Sequence, residues 1–136
     1  MKLVKPYFRF AFVCALLLVS GCGPESLVGE IHGTASIDGK PIEKGSIAFV
    51  PSMGQGPSGG GEIKGGKYSC EGALGDCKVE IRVPKSVGKR KLYDTPDSPE
   101  QETFAEVLPP KFNEATELTV EIKKGRNEKN WDLKLK

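Results

Sequence analysis

The stretch "KVEIRVP", residues 78–84, alternates apolar and charged side chains without a break, with Val79, Ile81 and Val83 on one parity and Lys78, Glu80 and Arg82 on the other. Successive side chains of an extended strand point to opposite faces, so this pattern asks for one face in a core and one in water. The same period of two recurs along the chain. Ile31, Gly33, Ala35 and Ile37 share a parity, as do Ile47 and Phe49, then Leu118, Val120 and Ile122, then Trp131, Leu133 and Leu135. No helical periodicity persists long enough to compete, which predicts an all-β, antiparallel fold.

Punctuation between these stretches is rich in glycine and proline. "DGKPIEKG" (38–45) turns the chain after the first strand, "GQGPSGGG" (54–61) is a loop with few side chains to pack, and Gly65-Gly66 suits a two-residue hairpin with positive φ. About seven strands result, which suggests a β-sandwich, with a small barrel as the other closed solution.

Ahead of the first strand the sequence changes character. Lys2, Lys5 and Arg9 open it, Phe10 to Val19 is apolar, and Ser20-Gly21-Cys22 follow. That order is secretory, and the apolar run is about half the roughly 20 residues a membrane-crossing helix needs. Val19-Ser20-Gly21-Cys22 resembles the bacterial lipobox, which implies removal of residues 1–21, a diacylglycerol thioether on Cys22 and an acylated amino group there. Two or three acyl chains hold a protein durably where one does not. Residues 22–27 then form a short tether reaching on the order of 20 Å, and residues 28–136 form one domain. Gly23 stands where Asp would resemble an inner-membrane retention signal, which favours the outer membrane. Without the leader, 17 basic residues face 18 acidic ones, so the formal +2 of the whole chain falls to −1 and support for a nucleic-acid surface goes with it.

Several segments together carry a family resemblance: "GEIHGTASIDGKPIEKGSIAFVPS", "GGEIKGGKYSC", "GDCKVEIRVPK" and "LPPKFNEATELTVEIKKGRNEKNWDLKL". They resemble small bacterial lipoproteins with a carboxypeptidase-regulatory-like, or transthyretin-like, domain. The resemblance implies a seven-stranded transthyretin-like or Ig-like β-sandwich and says little about activity, because its shared residues are scaffold. The hydroxyisourate hydrolase branch of that fold uses several histidines, an arginine and a Tyr-Arg-Gly-Ser tail, whereas this chain ends "WDLKLK".

Chemistry-bearing residues are few. Cys70 and Cys77 lie on inward parities of what read as neighbouring strands, and export to an oxidising compartment predicts a disulfide between them. "GEIKGGK" (61–67) approaches a phosphate-binding loop, but Tyr68 replaces the Ser or Thr that would hold Mg²⁺, and a strand follows in place of a helix. His32 is the single histidine, on a polar parity, and reads as a surface residue. Trp131 could stack on a sugar, yet its parity with Leu133 and Leu135 assigns it to the core. Residues 85–116 show no alternation and read as a long charged loop, basic at Lys85, Lys89, Arg90 and Lys91, acidic at Asp94, Asp97, Glu100, Glu102 and Glu106. Such clusters could touch anionic lipid or loosely bind Ca²⁺, and they read first as solvated, mutually paired charges.

No catalytic, cofactor or metal set emerges. The expected role is non-catalytic: a lipid-anchored β-sandwich of the cell envelope, attached to the membrane through Cys22, with an envelope protein or polysaccharide as partner and no nucleic acid. The alternative is a small module binding a glycan or hydrophobic ligand. A hydrolytic enzyme comes third, for want of convergent titratable groups.

Overall fold

A computed structural model describes residues 27–54 and 56–136; the expected leader 1–21, Cys22 and most of the tether lie outside the described residues. The described chain is all-β, with no α-helix. Its first strands are β1 (Val28–Ile37), β2 (Lys40–Pro41), β3 (Lys44–Pro51), β4 (Gly59–Lys64), β5 (Lys67–Ala73) and β6 (Gly75–Arg82). They are followed by β7 (Pro84–Lys91), β8 (Glu100–Glu106), a 3₁₀ turn at Pro110–Phe112, β9 (Thr119–Ile122), β10 (Arg126–Glu128) and β11 (Trp131–Leu133).

Nine of these strands form one curled sheet in the order β10-β1-β5-β4-β3-β6-β9, with β2 and β11 also paired to β1. Most ladders are antiparallel, as the alternation predicts. The exception is the C-terminus: β10 and β11 both join β1 in parallel, Ile31 opposite Asn127 and Ala35 opposite Trp131. The parallel sense follows from connectivity, because β9 and β10 occupy opposite ends of the strand order yet are joined by residues 123–125 alone. Such a short link forces the two edges of the sheet together, and the sheet curls to allow it.

Closure brings backbones very close. A Cβ on Gly33 would lie 1.8 Å from the Lys129 carbonyl oxygen, and one on Gly29 2.4 Å from that of Lys123, so no larger residue fits either position unmoved. Asn127 fastens the join: its Nδ2 donates to the carbonyls of Lys123 (2.8 Å) and Glu30 (2.9 Å), while its Oδ1 accepts the Lys123 amide (2.9 Å). On the next sheet neighbour, β4 and β5 share the register pair Lys64–Lys67 around the Gly65-Gly66 turn, whose φ values of 56° and 76° fit the two-residue hairpin.

Inside the curl sit Ile31, Ile47, Phe49, Ile63, Val79, Ile81 and Ile122, all but fully buried. These are the inward parities of β1, β3, β4, β6 and β9. Trp131 and Leu133 are buried as their parity predicts, but Leu135 is exposed, because β11 ends at Leu133 and the chain leaves the sheet.

The largest departure lies in 85–116. Instead of a structureless loop, β7 and β8 form a separate two-stranded antiparallel hairpin, with a register shift between Ser86 and Gly88. Every residue of both strands is exposed, so neither shows a buried parity. Register sets the basic strand against the acidic one, Lys89 opposite Glu102 and Lys91 opposite Glu100, a pairing of opposite charges that favours this alignment. Leu108, Phe112 and Asn113 then return the chain to the core.

Gly33→Ala is expected to lower the unfolding free energy by about 3 kcal/mol, since its methyl would have to displace backbone on the far side of the closure. Urea denaturation of the variant checks this; an unchanged midpoint would show that the join yields freely.

Candidate functional site

The chain enters the domain at one pole, where the Leu27 carbonyl accepts the Leu74 amide beside the β5–β6 turn. β1 then runs ten residues, about 30 Å at 3.3 Å per residue, to the opposite pole. There the β1–β2 turn, the end of β6 and the base of the β7–β8 hairpin converge.

Between them lies an open cleft of about 550 Å³. Its apolar lining comes from Ile37, Pro41, Ile42, Val83, Val107 and Leu135. Lys40, Lys44 and Lys85 also line it, and none of the three has a carboxylate within ion-pairing distance among the described residues. Of the acidic residues at the rim, Asp38 accepts the Leu135 amide (3.3 Å), whereas the Glu43 side chain has no hydrogen-bond partner among the described residues. Glu106 sets the hairpin's exit angle: one carboxylate oxygen accepts the amides of Val83 (2.9 Å) and Leu108 (3.0 Å), tying both ends of the hairpin to each other.

A second groove, about 580 Å³, lies over the outer face of β1, β4 and β5 and includes His32. Register gives His32 companions that its sequence neighbourhood does not: Ser69 opposite on β5 and Glu128 opposite on β10. The three stand in the order of a nucleophile, base and acid, but no hydrogen bond links His32 to either, and the amides around them serve the ladders. A hydrolytic triad needs those contacts and free donors for an oxyanion. His32 is half-buried, at the edge of this groove.

The expected disulfide is not formed: Cys70 and Cys77 are free thiols. β5 and β6 follow one another in the chain but are not neighbours in the sheet, where β4 and β3 stand between them. Cys70 lies opposite Ile31, while Cys77 lies opposite Pro51 and Val120, with its Sγ donating to the Ala73 carbonyl (3.4 Å). Burial pushes the Cys70 thiol up to about 11, and burial together with the Asp76 charge raises that of Cys77. Both are therefore protonated and weakly nucleophilic at neutral pH. Residues 61–67 are the β4–β5 hairpin and its flanks, with no helix N-terminus to hold a phosphate. No group of His, Cys, Asp and Glu among the described residues is arranged to hold a metal ion.

Trp131, the sugar-stacking candidate, is committed inside. Its Nε1 donates to the Tyr68 hydroxyl (3.2 Å), which in turn donates to the Lys129 carbonyl (2.6 Å). Lys129 lies 5.2 Å over the indole ring. At the β1–β2 turn, Lys134 and then the Gly39 amide and Ser36 hydroxyl hold the Asp132 carboxyl down at about 2.

No protein-family model matches the chain, and no curated protein matches it. Among solved structures, a 9R-lipoxygenase from Cyanothece PCC8801 aligns with 83% of this chain and 17% of that one, at 15% identity and a TM-score of 0.34. The chain thus spans less than a fifth of the lipoxygenase, and a likeness of that size carries no inference about fold or activity.

Burial raises the Tyr68 hydroxyl to about 12 from its ordinary value near 10. Because the folded value is the higher one, the associated stability is complete below about pH 10 and is lost as pH rises through 12. Unfolding followed across pH 9–12 is expected to show a fall that Tyr68→Phe reduces; an identical fall in the variant would assign it to other groups.

Proposed function

We propose that this chain is a lipid-anchored, non-catalytic interaction module of a bacterial cell envelope, released from residues 1–21 and held by acyl chains on Cys22. The observation that carries the reading is the separation of its two poles. The tether would meet the domain beside Leu27, while the cleft and the charged hairpin stand about 30 Å away, at the far end of β1. Such a body presents its contact surfaces away from the bilayer. The same polarity removes Lys85, Lys89, Arg90 and Lys91 from the anchoring membrane, so their role is contact with other molecules or with β8.

The fold is read more finely as a transthyretin-like β-sandwich. Support comes from β4 and β5, which share a single register pair at their turn and stay close as far as Gly59 and Glu71, so the ladder is thin where β10-β1-β5 meets β4-β3-β6-β9. Absence of catalysis is supported by the unlinked His32, Ser69 and Glu128 and by two cysteines whose thiols stay protonated. The runner-up, a ligand-binding module, is favoured by the cleft, and for a hydrophobic ligand over a glycan, because Trp131 is buried.

Intact mass of the protein extracted from its native membrane is expected to equal the chain from Cys22 plus diacylglycerol and one N-acyl group. Cys22→Ser is expected to move the protein from the membrane to the soluble fraction. An unlipidated wild-type mass, or a variant that stays with the membrane, would overturn the anchor.

A further inference from the structure

We infer that the cleft at the hairpin pole is a binding site for an anionic amphiphile, namely a free long-chain carboxylate. This deepens the ligand-binding reading and does not depend on lipidation of Cys22. The floor supplies the apolar half of the argument. Val107 and Leu135, at 43% and 39% exposure, are among the large hydrophobic side chains the domain leaves in water, and they line the cleft with the more buried Ile37, Ile42 and Val83. A volume of about 550 Å³ falls within the range of small-molecule sites and suits one extended acyl chain.

Charge supplies the other half. Lys40, Lys44 and Lys85 line the same cleft with no carboxylate in ion-pairing distance among the described residues, although Lys44 stands near enough to Glu62 to help lower that carboxyl. Asp38, which accepts the Leu135 amide, and Glu43 are the two carboxylates of the lining, so the three lysines leave the cleft with one net positive charge. Three ammonium groups, one more than the carboxylates can balance, around an apolar floor complement a single carboxylate head on an acyl tail, and a neutral lipid would leave that net charge unanswered. The chain's own acyl groups do not fit this chemistry, since acyl chains joined through ester and amide bonds at Cys22 would carry no free carboxylate to answer the ammonium groups.

The test labels the full chain in its native membrane with a diazirine-bearing long-chain fatty acid and maps the adduct by peptide mass spectrometry. Adducts are expected on the segments around residues 37–44, 83–85 and 135, displaced by laurate and about tenfold less well by dodecanol. Leu135→Asp, at an exposed position, is expected to abolish the adduct with an unchanged circular dichroism spectrum. Lys44→Gln with Lys85→Gln is expected to erase the preference for laurate over dodecanol. Adducts elsewhere, equal displacement by the two competitors, or labelling unaffected by these substitutions would overturn the assignment. So would sedimentation of the unlabelled protein as a dimer that Leu135→Asp dissociates, since a second copy would then cover the cleft. Failure of the anchor proposal would appear separately, as an unlipidated mass, and would leave these outcomes unchanged.

Discussion

Three residues join β9 to β10, and much of the architecture follows from their shortness. Strands at opposite ends of a sheet can be linked so briefly only if the sheet curls until its edges meet. Curling places the Lys123 and Lys129 carbonyls against β1, where Gly29 and Gly33 leave room for them, and Asn127 ties the β9–β10 link to β1 through the Glu30 carbonyl. β11 then continues alongside β1 and brings Trp131 over Tyr68, completing the core at the C-terminus. The hydrophobic residues supply the driving force, but the closure determines which of them meet.

The hairpin obeys a different logic. β7 and β8 bury nothing, and a two-stranded hairpin alone in water is marginal. Its backbone ladder aligns it, and the register sets lysines of β7 opposite glutamates of β8, an opposite-charge match that favours the pairing without closing into an ion pair among the described residues. What positions it is Glu106, whose carboxylate binds the amides of Val83 and Leu108 and so holds the entering and leaving chains together. The cleft exists because this clamp sets the hairpin base beside the β1–β2 turn.

These two regimes explain what could be read from the sequence. Period-two alternation reports burial of one face, so β1, β3, β6 and β9 were legible through Ile31, Phe49, Val79 and Ile122. β7 and β8 have no buried face and hence no alternation, although the segregation of basic from acidic residues in 85–106 was a signal that the two halves pair. Strand adjacency is a long-range property. Consecutive β5 and β6 read as neighbours and are not, which misdirected the pairing of Cys70 with Cys77. Distant Ser69 and Glu128 flank His32 for the same reason, through ladders no local pattern encodes. The cleft was illegible because its walls come from four separate segments of the chain.

The charge register of the hairpin also makes ionic strength a structural variable. Screening lengths fall from about 10 Å at 0.1 M salt to about 3 Å at 1 M, which weakens the attraction between β7 and β8 and leaves the apolar core of the curled sheet essentially untouched. Concentrated salt therefore acts on this exposed hairpin, whose Lys89, Arg90 and Lys91 are a basic run open to trypsin-like cleavage, and leaves it to its backbone ladder alone.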